Sequence, residues 1–101
     1  MAMDLFCYSS KTFIEVREIM ELAADQHKEL FATKFLISPA REAGAVQREI
    51  ALEHGLHAKS IFLIRYNDKS SLDLSSVVID VVKKELGNND VVILFENETL
   101  R

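Results

Sequence analysis

The apolar residues between positions 11 and 27 recur at the three- and four-residue spacing of a helix that buries one face. Thr12 followed by Glu15 is the pattern of a capping box, in which each side chain satisfies the other residue's backbone amide. The apolar stripe consists of Phe13, Val16, Met20, Ala23 and His27, widened by Ile19 and Leu22. We therefore expect a helix that packs on a core through this stripe and turns its carboxylates to water.

Two further helices are predicted from their end signals. Ser38 followed by Pro39 combines a favoured N-cap residue with proline at the first helical position, which predicts a helix over residues 40–54. Ser75 or Ser76 can cap another helix, and Gly87 suits the left-handed conformation that ends it.

Runs rich in β-branched and aromatic residues predict the strands. They cover residues 31–37, 60–66 and 91–95, while Asp4–Ser9 could be a short strand or an extended arm. Asn67 and Asp68 fit a two-residue hairpin turn, which would pair residues 61–66 with 69–74. That register turns Ile61 and Leu63 towards the core and leaves Phe62, Ile64 and Tyr66 on the other face.

The composition narrows the possible partners. The chain has 101 residues, enough for one domain, and a formal net charge of −4 without a basic cluster, so we do not expect it to bind nucleic acid. No apolar run approaches the roughly 18 residues that span a bilayer, and no signal peptide is evident, so we expect no membrane partner. The single cysteine excludes an internal disulfide, and we expect a cytoplasmic location.

Two stretches resemble HPr, the histidine-containing phosphocarrier of the bacterial sugar phosphotransferase system. They are FLISPAREAGA and SIFLIRYNDKSSLDLSSVVIDVVKKELGNNDVVILFENE. Ala40 and Arg41 lie where that family has the Ala-Arg of its Gly-Leu-His-Ala-Arg-Pro signature, and Ser75-Ser76 lies where it has a Lys-Ser pair. The resemblance implies an α+β open-faced sandwich, with three helices on one face of a four-stranded, mostly antiparallel sheet.

The resemblance also implies one HPr-like domain over residues 1–101, in which residues 1–28 are an N-terminal extension. The helix of this extension could take the place of the family's C-terminal helix. Pro39 stands where the family has its phosphoryl-accepting histidine, so we do not expect a competent phosphocarrier. Gly55-Leu56-His57-Ala58 nearly repeats the signature, but it follows a helix and leads into a strand. His57 is therefore the alternative acceptor, and a helix C-cap with a loop is the favoured interpretation of this segment.

No catalytic constellation, metal site or cofactor is predicted. His54 and His57 are separated by a helix-ending glycine and have no cysteine nearby in sequence, whereas a metal site needs three or four converging ligands. No nucleophile and base can be placed together, so we expect a protein that is not an enzyme.

The main functional hypothesis is an HPr-like protein-interaction or regulatory module, with phosphotransferase components as candidate partners. Its predicted binding residues are Ser38, Arg41, Ser75 and Ser76. The alternatives are a phosphocarrier that uses His57, and an unrelated small α/β protein of the antitoxin or immunity type, whose acidic surface meets a basic partner. An open sheet face carrying Phe62, Ile64 and Tyr66 also predicts an interface, which we expect to form a homodimer or to bind a partner.

Overall fold

The structure, a computed structural model, describes residues 4–31, 35–66, 75–95 and 99–100. Within those ranges the chain forms six strands and three helices. In chain order they are β1 (Asp4–Ser9), α1 (Phe13–Gln26), β2 (Phe35–Ile37), β3 (Arg41–Glu42), α2 (Ala45–Glu53), β4 (Ser60–Tyr66), α3 (Ser75–Leu86), β5 (Val91–Phe95) and β6 (Thr99–Leu100). The α+β class is thereby confirmed.

The strands form one antiparallel sheet in the order β2-β4-β1-β5-β6, and β3 pairs with β4 as well. The N-terminal strand β1 lies inside the sheet, because its residues pair with β4 on one side and with β5 on the other. Cys7, for example, is opposite Phe62 in β4 and Ile93 in β5. Of the two alternatives for Asp4–Ser9, a short strand and an extended arm, the strand is the one that forms, and it is the centre of the sheet. Residues 4–9 of the predicted N-terminal extension therefore belong to the sheet itself.

Helices α1 and α3 cover one face of the sheet. The sheet contributes alternate residues to this layer. Ile37 and Tyr66 are partly buried, and the others are buried: Leu5, Cys7, Phe35, Phe62, Ile64, Val91 and Ile93. The helices contribute buried residues at helical spacing: Val16, Met20, Ala23, Val78, Val82 and Leu86. This layer forms because strand side chains alternate between faces while helical residues three and four apart share one.

The opposite face of the sheet is covered too. The sheet residues that point to this side, Tyr8, Ile61, Val92 and Leu94, are buried beneath Ala43, Ala51, Leu56 and Ala58. Helix α2 and the segments next to it thus form a second layer. The predicted open-faced sandwich with three helices on one face is wrong, because the helices divide between the two faces.

Two of the three predicted helices are confirmed. In α1 the capping box is formed: the Thr12 amide donates to Glu15 Oε1 at 3.3 Å, and the Glu15 amide donates to Thr12 Oγ1 at 3.3 Å. Helix α3 ends at Gly87, whose φ of 93° lies in the left-handed region. These ends were predictable because local side-chain and backbone chemistry determines them.

Helix α2 begins at Ala45, five residues later than Ser38 and Pro39 predict. The Ser38 hydroxyl does not cap a helix, because it accepts a hydrogen bond from the Leu63 amide at 2.8 Å. The next residues, Arg41 and Glu42, pair with β4 instead of coiling. Sheet pairing therefore takes priority over the local capping signal, and the predicted helix start is wrong.

The predicted hairpin is also wrong at its first strand. Both edges of β4 are already occupied, by β1 on one side and by β2 and β3 on the other. Its second strand, residues 69–74, and its turn, at Asn67 and Asp68, lie outside the described residues. The strand predicted at residues 31–37 is shorter, since β2 covers Phe35–Ile37 and Phe31 follows α1 as a buried residue.

Candidate partner-binding surface

The structure separates the binding residues that the sequence predicts. Arg41 is exposed on β3 and pairs with Ile61 near the beginning of β4. Ser75 and Ser76 begin α3, which ends at Leu86. At 1.5 Å per residue, Ser76 lies about 15 Å along the helix from that end.

The C-terminal end of α3 is close to the part of the sheet that contains Arg41. The chain there re-enters the sheet at Asp90, whose carbonyl oxygen accepts from the Ser10 amide at 3.0 Å. The backbone at Ser9 and Ser10 is therefore close to Asp90, and Ser9 pairs with Ser60, the neighbour of Ile61. Arg41 thus lies near the part of the sheet that adjoins the end of α3, whereas Ser76 is about 15 Å along the helix from that end.

Ser38 has a structural role in this fold. Its backbone amide donates to the Leu63 carbonyl oxygen at 2.9 Å, and its hydroxyl accepts from the Leu63 amide at 2.8 Å. These bonds continue the pairing with β4 between β2 and β3. The hydroxyl is thus already engaged within the chain, and a role in partner binding stays a prediction.

Phe62 and Ile64 are not exposed. Phe62 is 1% exposed and Ile64 is 0% exposed, both within the layer beneath α1 and α3. Tyr66 is half-buried and contacts the Phe35 ring edge-to-face, with 5.3 Å between the ring centroids. The expectation of an exposed interface at Phe62 and Ile64 is therefore wrong, because α1 and α3 cover this face.

His57 is exposed in the loop between α2 and β4, and His54 follows α2 directly. Among the described residues, no group of three or more His, Cys, Asp or Glu side chains could hold a metal ion. Nor does any helix in the described ranges have the length and apolar character needed to cross a bilayer.

The buried polar groups have structural partners. Ser60 Oγ donates to the Lys11 carbonyl oxygen at 2.8 Å, and Ser9 Oγ accepts from the Lys11 amide at 3.1 Å. Cys7 is fully buried, and this burial raises the pKa of its thiol, which keeps it in the unreactive protonated form. Within the described residues every buried side-chain nitrogen or oxygen has a hydrogen-bond partner. The interior therefore holds the fold together, and candidate functions belong to the surface.

The outer face of α1 is acidic and partly apolar. The helix contains four carboxylates and one arginine, while the net charge of the whole chain is −4. Glu15 forms the helix cap, and hydrogen bonds to Thr12, first from its backbone and then from its side chain, lower the pKa of Glu15. On the same helix Leu22 is 64% exposed and Ile14 is 58% exposed. This surface combines negative charge with exposed aliphatic side chains.

A groove of about 370 Å³ lies beside this surface, between α1 and the connection from β2 to β3. Its helix side is formed by Val16, Arg17, Met20, Glu21 and Ala24, and its other side by Ile37, Ser38, Pro39, Ala40 and Phe62. We call it the α1 groove. A second, shallow hollow on the outer face of α1 shares Glu21 and Ala24 with it, so the two form one continuous surface.

The Arg17 side chain reaches across the α1 groove. Its Nε donates to the Ala40 carbonyl oxygen at 2.7 Å, and its guanidinium lies 5.1 Å from the centre of the Phe13 ring. The Arg17 side chain is thereby held across the groove. Lys28 pairs with Asp25 at 3.4 Å, but within the described residues neither Glu18 nor Glu21 forms an ion pair.

The sequence signalled only part of this surface. The acidic face of α1 follows from helical spacing, since Glu15, Glu18, Glu21 and Asp25 fall outside the apolar stripe. The groove could not be found this way, because its far wall is a connection that the sequence pattern assigned to a helix.

Comparisons with known proteins give the family. A family model described as CDI System Immunity Component matches residues 1–99. Immunity protein CdiI-2 of Burkholderia pseudomallei (strain 1026b) is 43% identical over 101 residues, the whole length of both chains. A solved structure, the CdiA-CT/CdiI toxin and immunity complex from Burkholderia pseudomallei, matches with a TM-score of 0.93 and 41% identity, over 97% of this chain and 95% of that chain.

These findings contradict the kinship to HPr, and with it the phosphotransferase partners and the phosphocarrier that uses His57. The resemblance depended on strand composition and on the order of elements, which unrelated α+β folds share. The immunity-type alternative is the better one, and the expectation that the chain is not an enzyme is confirmed. The chain belongs to the CDI System Immunity Component family.

Proposed function

We propose that this chain is an immunity protein that binds a CdiA-CT toxin and blocks it by direct contact. One observation carries the proposal: the chain matches, over 97% of its length and with a TM-score of 0.93, a chain of a toxin and immunity complex. Identity of 41% at that coverage makes a shared mode of action the simplest expectation.

The positions of the polar and apolar side chains support a role in binding another protein. In the described residues the polar interior is hydrogen-bonded within the chain, and the one cysteine is buried. The outer face of α1, by contrast, carries exposed leucine and isoleucine side chains among carboxylates. Such a mixed surface suits recognition of a protein, where apolar contacts contribute affinity and charges contribute specificity and association rate.

The proposal is tested by mixing the purified chain with the CdiA-CT toxin from the same organism and measuring binding by calorimetry. We expect one-to-one binding with a Kd of about 10⁻⁷ M or tighter, as interfaces of standard size usually give. Cells that produce the toxin should grow only when they also produce this chain.

A control uses CdiI-2 with its own toxin, and crossed pairs report specificity. We expect weaker binding in the crossed pairs, because specificity is a difference between affinities. Absence of binding to the chain's own toxin at micromolar concentrations, together with no protection of cells, would overturn the proposal.

Two earlier expectations remain untested. A cytoplasmic location stays a prediction. The homodimer also stays a prediction. The exposed apolar sheet face on which it was based is covered by α1 and α3 in the described residues.

A further inference from the structure

We infer that the α1 groove is the part of this chain that receives the toxin, and that its occupant is a toxin segment with an apolar side chain beside lysine or arginine. This inference rests on the proposed function and adds the location and the chemistry of the contact. Its basis is the juxtaposition of an apolar groove with Glu18 and Glu21 of α1, which form no ion pair among the described residues.

The groove has the size and lining of an anchor site. Its volume of about 370 Å³ is at the lower end of the roughly 300–1,000 Å³ typical of ligand pockets, so it suits one large side chain. Met20, Ala24, Ile37 and Phe62 supply apolar walls, and small residues at Ala24 and Ala40 leave the space open. Interfaces draw most of their affinity from such anchors inserted in desolvated pockets.

The carboxylates beside the groove favour basic residues next to the apolar side chain that enters it. Glu21 lines the groove, and Glu18 lines the hollow that adjoins it, beside the ion pair between Asp25 and Lys28. Carboxylates three or four residues apart on a helix repel each other, a cost that a basic partner removes. Arg17 also lines the groove, but its Nε donates to the Ala40 carbonyl oxygen, and among the described residues it forms no ion pair with Glu18 or Glu21.

The opposite layer of the molecule has a different character. The outer side of α2 and the loop after it brings Arg48, His57 and Lys59 together with Glu49 around an exposed Leu52. Arg48 also pairs with Glu42 at 3.7 Å. That side mixes the carboxylates of Glu42, Glu49 and Glu53 with basic side chains, so for a cationic partner charge complementarity favours the α1 side.

Two kinds of variant test the inference by calorimetry and by stopped-flow association with the toxin. Ala24→Leu fills the groove with the chain's own side chain, and we expect about 30-fold weaker binding, the effect of losing a hot-spot contact. The double variant Glu18→Arg with Glu21→Arg reverses the rim charge. We expect about tenfold slower association at low salt, and a difference that disappears at high salt.

Matched controls lie on α2. Ala45→Leu adds the same atoms at an exposed position, and Glu49→Arg with Glu53→Arg makes the same charge reversal on the other layer. We expect both to bind the toxin within about twofold of the unmodified chain, as near-neutral positions do. Thermal unfolding of Ala24→Leu should be unchanged or shifted upwards, since the added atoms fill open space, which separates a blocked site from a damaged fold.

The outcomes distinguish this inference from the proposed function. If the unmodified chain binds the toxin but only the α2 variants weaken binding, the groove assignment is wrong and the function stands. If the unmodified chain does not bind the toxin, the function fails and the inference fails with it. If the chain alone dimerises and Ala24→Leu abolishes the dimer without affecting toxin binding, the groove holds a second copy and the inference is overturned.

Discussion

Replacing Ile64 with alanine tests whether α1 and α3 cover the sheet face that the sequence pattern left open. Ile64 is 0% exposed and lies between Leu5 of β1 and Ile37 of β2. Isoleucine to alanine removes three carbon groups, each worth about 0.8 kcal/mol when buried, or about 2.4 kcal/mol together. A residual cavity adds to this, so we expect a loss of about 3 kcal/mol in the free energy of unfolding.

A loss of that size is easily measured. Domains of this length have roughly 5–15 kcal/mol of stability, and about 1 kcal/mol shifts the Tm by roughly 4–8 °C, so the Tm should fall by about 12–24 °C. Urea unfolding followed by circular dichroism should show a lower midpoint with an unchanged slope.

The control is Leu36→Ala, a change on neighbouring β2 where the side chain is 51% exposed. We expect it to lose about 1 kcal/mol or less, since partly exposed positions contribute little. If Ile64→Ala cost no more than this control and instead changed the oligomeric state, the covered face would be refuted, and the interface predicted from the sequence would be right.

Three further predictions concern single sites. Cys7 should not react with a thiol reagent in the folded protein and should react fully in urea, because burial raises its pKa and blocks access; rapid native labelling would contradict this. Thr12→Ala should lower the free energy of unfolding by about 1 kcal/mol in chemical denaturation. The folded pKa of Glu15 lies below its usual 4.5, so its contribution to stability is present above that value and is lost as the pH falls through the lowered folded pKa. The variant retains the Thr12 backbone amide, the larger cause of the lowered pKa, and removes only the hydroxyl, so it should reduce this loss at acid pH without abolishing it. Gly87→Ala should lower the Tm more than Gly55→Ala, although both glycines have positive φ. At Gly87 a Cβ would meet Asp90 Oδ2 at 2.9 Å, and moving this carboxylate would disturb the hydrogen bond that its Oδ1 accepts from the Ser10 hydroxyl; equal losses would leave backbone strain as the whole effect.

The sequence by itself determined the elements whose signals are local. The capping box of α1, the glycine end of α3 and the apolar run of β5 appear where the pattern predicts them. So does the stripe of α1 except at Leu22, which is 64% exposed. These features depend on side chains and backbone groups within a few residues of one another, so neighbouring positions contain the whole explanation. The acidic outer face of α1 belongs to the same class, because helical spacing alone assigns it.

Tertiary structure decided which strands pair and which faces are covered. Ser38 is a good helix cap in isolation, yet its hydroxyl accepts from Leu63, twenty-five residues away in sequence, and the helix starts later. The Asp4–Ser9 segment gives a weak local signal but occupies the centre of the sheet, between β4 and β5.

In the candidate binding surface, too, the sequence determined one part and the tertiary structure decided the other. Its charges could be read from one helix, but the groove exists only because Ile37 to Ala40 pass along β4 opposite α1. Strand pairing joins residues far apart in sequence through backbone groups that every residue carries, and the side-chain pattern therefore does not specify the partner.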